Sequence, residues 1–235
     1  MDAKSDTLIP AADLARDNPV RIPGESSAYR AARTALLAEE LELRRHIEKV
    51  AALRRALPPG APVQDRYRFE GEHGETSLAG LFAGKQTLVT YSYMFGPQRE
   101  RPCPMCTNLL DAWDGVADDA AQKLSLAVIA LSPIDKLLAW KKERGWRSVR
   151  LYTDIDGAFS KDWFGMLPSG DEVPSMNVFT TRDGSLRHFW TGEMTGQTAD
   201  PGQDARGAPD PSPLWNILDL TPEGRGADWY PKLDY

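Results

Sequence analysis

The two cysteines of the 235-residue chain stand as Cys103-Pro104-Met105-Cys106, and there are no others. Residues three apart on a helix share a face, so this spacing across a first helical turn sets the two sulfurs side by side. A disulfide can open and close there without large backbone movement. A thiol attacks as its thiolate, and the unpaired N–H groups and partial positive charge of a helix N-terminus favour that anion. Cys103 holds the position where this effect is greatest. Pro104 suits the first helical residue, where its fixed φ helps and its missing N–H costs nothing. Cys103 is therefore read as the attacking thiol, with Arg99 and Arg101 as additional positive charges. Cys106 is read as the resolving thiol, which attacks the mixed disulfide and releases the reduced partner.

Three other readings of the pair stay open. The two thiols can be ordinary neighbours. They can be half of a zinc site, although structural zinc takes four protein ligands and His46, His73 and His188 are scattered along the chain. His188 reads more simply as a half-exposed strand residue. The chain can also be a non-catalytic binding or scaffold protein, with a long N-terminal helix and a long polar loop for contacts. Net charge of −6 argues against nucleic acid as a partner, which clustered Lys and Arg would attract. Residues 1–10 lack the basic and apolar regions of a signal peptide, and no segment approaches the roughly 18 to 20 apolar residues of a membrane span. The expected place is the cytoplasm, where a lone Cys-x-x-Cys is a redox or metal pair rather than a lasting structural disulfide. Dithiol chemistry there needs no bound cofactor, only an external reductant to recycle the pair.

The elements around the dithiol follow from pattern. Residues 64–70 and 85–95 read as strands, with a short helical turn over 77–82 between them. A helix over 103–123, a buried strand over 124–131, a helix over 134–144 ended by Gly145 and a strand over 148–153 then form a βαβαβ succession. Such a succession implies parallel pairing with right-handed crossovers. Residues 175–181 and 185–191 flank the turn Arg182-Asp183-Gly184 and read as an antiparallel hairpin. Residues 191–213, rich in Gly, Pro, Asp and Gln, read as a surface loop, and 214–220 as a last short helix. Alternation sends Tyr91, Tyr93 and Phe95 to one sheet face; with Trp113 and Trp163 they are expected mostly in the core. Asp111, Asp114, Asp118 and Asp119 read as a solvated helix face.

Upstream, Pro10, Asn18-Pro19 and Pro23-Gly24 mark residues 1 to 25 as a loose leader. Ser26 or Ser27 then caps a helix from Ala28 to Leu57, with Leu36, Leu43, Ile47, Val50, Leu53 and Leu57 at helical spacing and Pro58-Pro59-Gly60 as its stop. At 1.5 Å per residue it is about 45 Å long. It is expected to pack along its own domain or to clamp a homodimer.

Taken together, Tyr93-Met-Phe-Gly-Pro97, Pro102-Cys-Pro-Met-Cys106 and Trp113-Asp-Gly115, with Ala32-Arg-Thr-Ala-Leu-Leu37 upstream and Leu218-Asp-Leu-Thr-Pro-Glu-Gly-Arg225 downstream, resemble a bacterial thioredoxin-like family. That family, long a domain of unknown function, is commonly labelled predicted dithiol-disulfide oxidoreductases. The resemblance spans residues 28 to 230. It implies an α/β, thioredoxin-like central mixed sheet flanked by helices over residues 61–235, with a C-terminal extension, preceded by a leader and helical arm over 1–60. It implies activity on protein or small-molecule disulfides, while charge and hydropathy leave neither nucleic acid nor a membrane as an expected partner. It also gives Val173-Pro174 a role: in thioredoxin-like folds the corresponding proline is cis, lies against the dithiol and exposes the preceding backbone to substrate, whereas a trans proline at a strand start is the plain alternative. Thioredoxin itself has Trp before its first cysteine and Gly-Pro between the two; Pro102 and Pro104-Met105 depart from that, and a proline in the first inner position is similar to glutaredoxins and periplasmic oxidants. A thiol peroxidase is the rival activity. Peroxiredoxins place Thr or Ser three residues before the reactive cysteine and Pro four residues earlier still, where this chain has Glu100 and Gly96.

Overall fold

The computed structural model describes residues 8–192, 198–202, 210–213 and 232–233, so the helix expected over 214–220 and most of the polar loop lie outside the described residues. The chain divides into two units, one ending at Leu57 and the other beginning at Pro58.

The first unit holds two helices, α1 (Ala11–Arg16) and α2 (Ser27–Arg55). The leader is thus partly helical. Its prolines bound the helix rather than forbid it: Pro10 is the N-cap residue and Asn18-Pro19 follows the end. Ala11 and Ala15, one turn apart, are buried, and Arg45 on α2 donates to the carbonyl of Ile9. Ser26 caps α2 by accepting from the Tyr29 N–H at 3.1 Å. No residue of α2 is buried, and Tyr29, Leu36, Leu43 and Leu57 stand exposed at heptad spacing.

The second unit is built on one seven-stranded sheet in the order β2-β1-β5-β4-β3-β6-β7. Its elements are β1 (Arg68–Gly71), β2 (Gly74–Ser77), α3 (Leu78–Leu81), β3 (Thr87–Ser92), α4 (Pro104–Asp114), α5 (Ala117–Ala120), β4 (Ser125–Ala130), α6 (Ile134–Arg144), β5 (Leu151–Asp154), α7 (Ala158–Asp162), β6 (Ser175–Thr180) and β7 (Arg187–Gly192). β3, β4 and β5 run parallel, whereas β6 pairs antiparallel with β3 and β7 antiparallel with β6. The architecture is α/β, a thioredoxin-like mixed sheet flanked by helices.

Period-two alternation splits the core between the two faces. Tyr91, Tyr93, Val128 and Ala130 face α4 and α6, packing on Cys106, Leu109, Leu110, Leu137, Trp140 and Trp146. Leu88, Ala127 and Ile129 face the other way, onto Phe69, Leu78, Leu81, Phe159 and Phe179. Tyr91, Tyr93, Phe95 and Trp113 therefore lie with the dithiol helix, while Trp163 lies across the sheet.

Several boundaries move for identifiable reasons. The helix expected over 103–123 breaks after Asp114: Gly115 caps it at φ −67° and ψ −20°, Val116 at φ −118° and ψ 0° departs from the helical path, and a short α5 follows. Asp114 is also why β5 starts at Leu151 rather than at 148: its carboxylate accepts the N–H groups of Arg147, Ser148 and Val149 at 2.8 to 3.1 Å, withholding those donors from the sheet. The expected strand over 64–70 starts only at Arg68, since Asp65 turns aside to accept from Ser77 Oγ and the Ala79 N–H at the head of α3. The β1–β2 hairpin and α7 are additions to the expected plan.

Candidate functional site

The dithiol sits where the central strand leaves the sheet. Beyond Ser92 the Tyr93 N–H still donates to Ile129 O, but the Phe95 N–H turns back onto Tyr93 O. Gly96-Pro97 then reverses the chain, which returns so that the Cys103 N–H donates to Met94 O at 3.1 Å. Cys103 becomes the N-cap residue of α4, in extended geometry at φ −62°, with Pro104 at the first helical position as its ring requires. Its carbonyl accepts from both the N–H and Oγ1 of Thr107, each at 3.0 Å. With the Thr107 proton spent there, the Tyr93 hydroxyl donates to Thr107 Oγ1 at 2.8 Å. The Cys103 peptide is thus fixed at both ends by the strand–helix junction.

Cys103 is half-buried and Cys106 is 2 % exposed. Their environments push them apart. The hydrogen bond from the Cys106 thiol does most to lower Cys103; burial opposes it, and the N–H groups of Cys106 and Met105 and the Arg99 charge add to the lowering, leaving Cys103 at about 6. Cys106 is pushed well up, first by that same pairing with Cys103 and then by burial. The accessible sulfur is the acidic one and the enclosed sulfur keeps its proton.

Of the two candidate cations, Arg99 acts on Cys103, and Arg101 turns toward α6, its guanidinium 5.6 Å from the Trp140 ring centroid and 4.0 Å from Glu143. Arg99 Nε donates to Glu172 Oε2 at 2.8 Å, and its own carbonyl accepts from Lys136 Nζ. Glu172 presses against Gly96, where an added Cβ would lie 2.8 Å from Oε1. Replacing Arg99 by Met should move the pH profile of Cys103 alkylation upward; an unmoved profile would show that the guanidinium field does not reach the sulfur.

Pro174 stands at the same end of the sheet. Ser92 and Ser175 are register partners with their hydroxyls 3.0 Å apart, so Pro174, immediately before β6, lies opposite the point where the chain departs toward Cys103. The residue before it is already engaged: the Val173 N–H donates to Gly165 O at 3.1 Å. Gly165 fits there because its missing Cβ would meet Ser92 Oγ at 2.7 Å. Behind this loop the Trp163 carbonyl accepts from Ser175 Oγ and Asn177 Nδ2.

Other candidate residues take structural places. Asp111 and Asp114 are clamps rather than a solvated face: Asp111 binds the Arg144 guanidinium and Trp146 Nε1, and Asp114 the backbone noted above. His188 lies in β7, stacked on Trp163 with centroids 5.0 Å apart, and burial lowers its pKa. Among the described residues no three His, Cys, Asp or Glu side chains group as metal ligands, and no helix is long and apolar enough to cross a membrane. Sequence reading missed Glu172, Lys136, Gly96 and Gly165. Only Gly96, beside Pro97, carried a local signal, and that signal was for a turn.

A family model described as bacterial protein of unknown function (DUF899) matches residues 19–235. The chain belongs to that family. No curated protein matches this DUF899 member. Solved structures similar to it include a cysteine mutant of PrxQ from Xylella fastidiosa, at 11 % identity and TM-score 0.46, covering 57 % of this chain and 84 % of that one. Peroxidoxin BcpB from Mycobacterium tuberculosis is similar at 18 % identity and TM-score 0.44, covering 55 % and 82 % respectively. Reduced Prx3 from Vibrio vulnificus, in complex with hydrogen peroxide, is similar at 11 % and 0.43, covering 61 % and 89 %.

Proposed function

We propose that this protein is a thiol–disulfide oxidoreductase. The observation that carries the reading is the asymmetry of the dithiol, an accessible sulfur lowered to about 6 beside an enclosed sulfur that stays protonated. In this reading the Cys103 thiolate attacks one sulfur of a substrate disulfide, forming a mixed disulfide and expelling the first thiolate. Cys106 loses its proton and attacks Cys103 Sγ, expelling the second thiolate and closing the Cys103–Cys106 disulfide. Two electrons pass from the dithiol to the substrate, and an external dithiol restores the pair. Pro174 and Val173 form the rim against which the substrate rests, and Arg99 supports the thiolate.

Equilibration in glutathione buffers of graded ratio, followed by free-thiol counting, tests the assignment. Two thiols should titrate together in one two-electron transition; a pair that stays reduced across every ratio would remove it. A peroxidase would instead consume hydrogen peroxide faster than any disulfide. The expected result is slow peroxide consumption, because the hydroxyl donor of peroxidatic sites is replaced by exposed Glu100.

A further inference from the structure

We infer that the site accepts low-molecular-weight disulfides, anionic ones by preference, and turns away extended protein chains. This rests on the oxidoreductase reading and narrows its substrate class. A protein substrate that lies along a rim as an added strand needs an unpaired strand edge, with N–H and C=O groups free to bond it. The rim ahead of Pro174 is residues 171–173, and its edge is taken by the chain itself. Met166 bridges Glu172 in antiparallel fashion, the Val173 N–H donates to Gly165 O at 3.1 Å, and the Leu167 N–H donates to Asp171 O at 2.9 Å. Residues 165–167 thus occupy the lane that an incoming peptide would use. Beside the rim, the Glu172 carboxylate packs against Gly96 and holds Arg99. A compact disulfide needs only the half-buried Cys103 sulfur and what surrounds it.

One cation serves the approach side, the Arg99 guanidinium, whose charge reaches the Cys103 sulfur. The Arg99 side chain is 37 % exposed while its carboxylate partner Glu172 is 13 % exposed, so an arriving carboxylate meets the guanidinium more readily than the glutamate. Charge at this range steers encounter and is screened by salt.

The test uses the dithiol-reduced full chain in single turnover, with acid quench and counting of protein thiols, so that its own two electrons suffice. Three probes are compared: oxidised glutathione (anionic), cystamine (cationic) and insulin. Per disulfide, oxidised glutathione should react at least tenfold faster than insulin, and roughly fivefold faster than cystamine, the scale of one exposed ion pair. Arg99→Met should erase the second ratio, as should added salt, while any loss of thiolate reactivity cancels because both small probes meet the same sulfur. Insulin reacting as fast as oxidised glutathione would overturn the inference and leave the oxidoreductase reading standing. Cystamine matching oxidised glutathione would remove the anionic preference. No reaction with any probe would remove both readings.

Discussion

Replacing Cys103 by Ser should abolish disulfide turnover, with the rate falling at least a thousandfold to background, because a hydroxyl remains protonated where the thiol of Cys103 ionises near 6. Cys106→Ser should behave differently. The first attack survives, and with no resolving thiol the mixed disulfide with glutathione should accumulate stoichiometrically, visible as one added glutathione by mass. Replacing Cys106 by Ala takes away the donor whose hydrogen bond does most to lower Cys103, so in that variant the Cys103 alkylation profile should shift upward further than in Arg99→Met. If Cys106 is alkylated faster than Cys103 in the native protein at neutral pH, the roles are reversed. Linkage sets the pH dependence of stability. Cys103 is depressed on folding, so its contribution is present above the ordinary thiol value of about 8.5 and lost as pH falls through about 6. Cys106 is raised, so it favours folding less as pH climbs past about 8.5. Urea midpoints of the reduced protein, relative to the disulfide form, should therefore rise from pH 6 to about 8.5 and then fall.

Asp114→Ala should destabilise the fold by loosening the entrance to β5. Three backbone N–H groups at the entrance to β5 lose their acceptor at once. Water reaches part of this site, so the expected cost is about 2 kcal/mol, seen as a fall of roughly 5 °C in Tm. Burial pushes the Asp114 carboxyl up, but the N–H groups of Val149, Arg147 and Ser148 and the charge of Lys141 outweigh it and hold the pKa below the ordinary value. A depressed carboxyl contributes fully above its unfolded value near 4 and loses that contribution as pH falls through its folded value. The gap between wild type and Asp114→Ala should therefore close in acid. A gap that persists below pH 2, or no gap at neutral pH, would show that the clamp does not support β5.

The parts of this fold legible in sequence were those written locally. Strand, loop, dithiol and helix follow from apolar runs, from Pro104 at a helix start and from the Asp183-Gly184 turn; all three depend on residues a few positions apart. The β1–β2 hairpin was obscure because its four-residue strands are polar, Phe69 being the one large side chain they bury. α7 is five residues long, and its start is held by Asp154 and Asp156 rather than by any apolar period. At the site, the cysteines and Pro174 declare themselves. Glu172 meets Arg99 across 73 residues, and Asp111 meets Arg144 across 33, pairings that no spacing rule encodes. Arg99 and Arg101 looked equivalent from sequence; the side of the loop each occupies separates them.

The aromatic packing around the dithiol gives the molecule an optical readout of its own redox state. Trp113, Trp140 and Trp146 belong to the cluster that also holds Cys103 and Cys106, and Tyr91 stacks edgewise on Trp113 at 5.7 Å. Disulfides quench indole emission at short range, so closing the bond should dim the protein's own fluorescence and reducing it should restore the signal. Electron flow through this protein can then be followed in real time without any label.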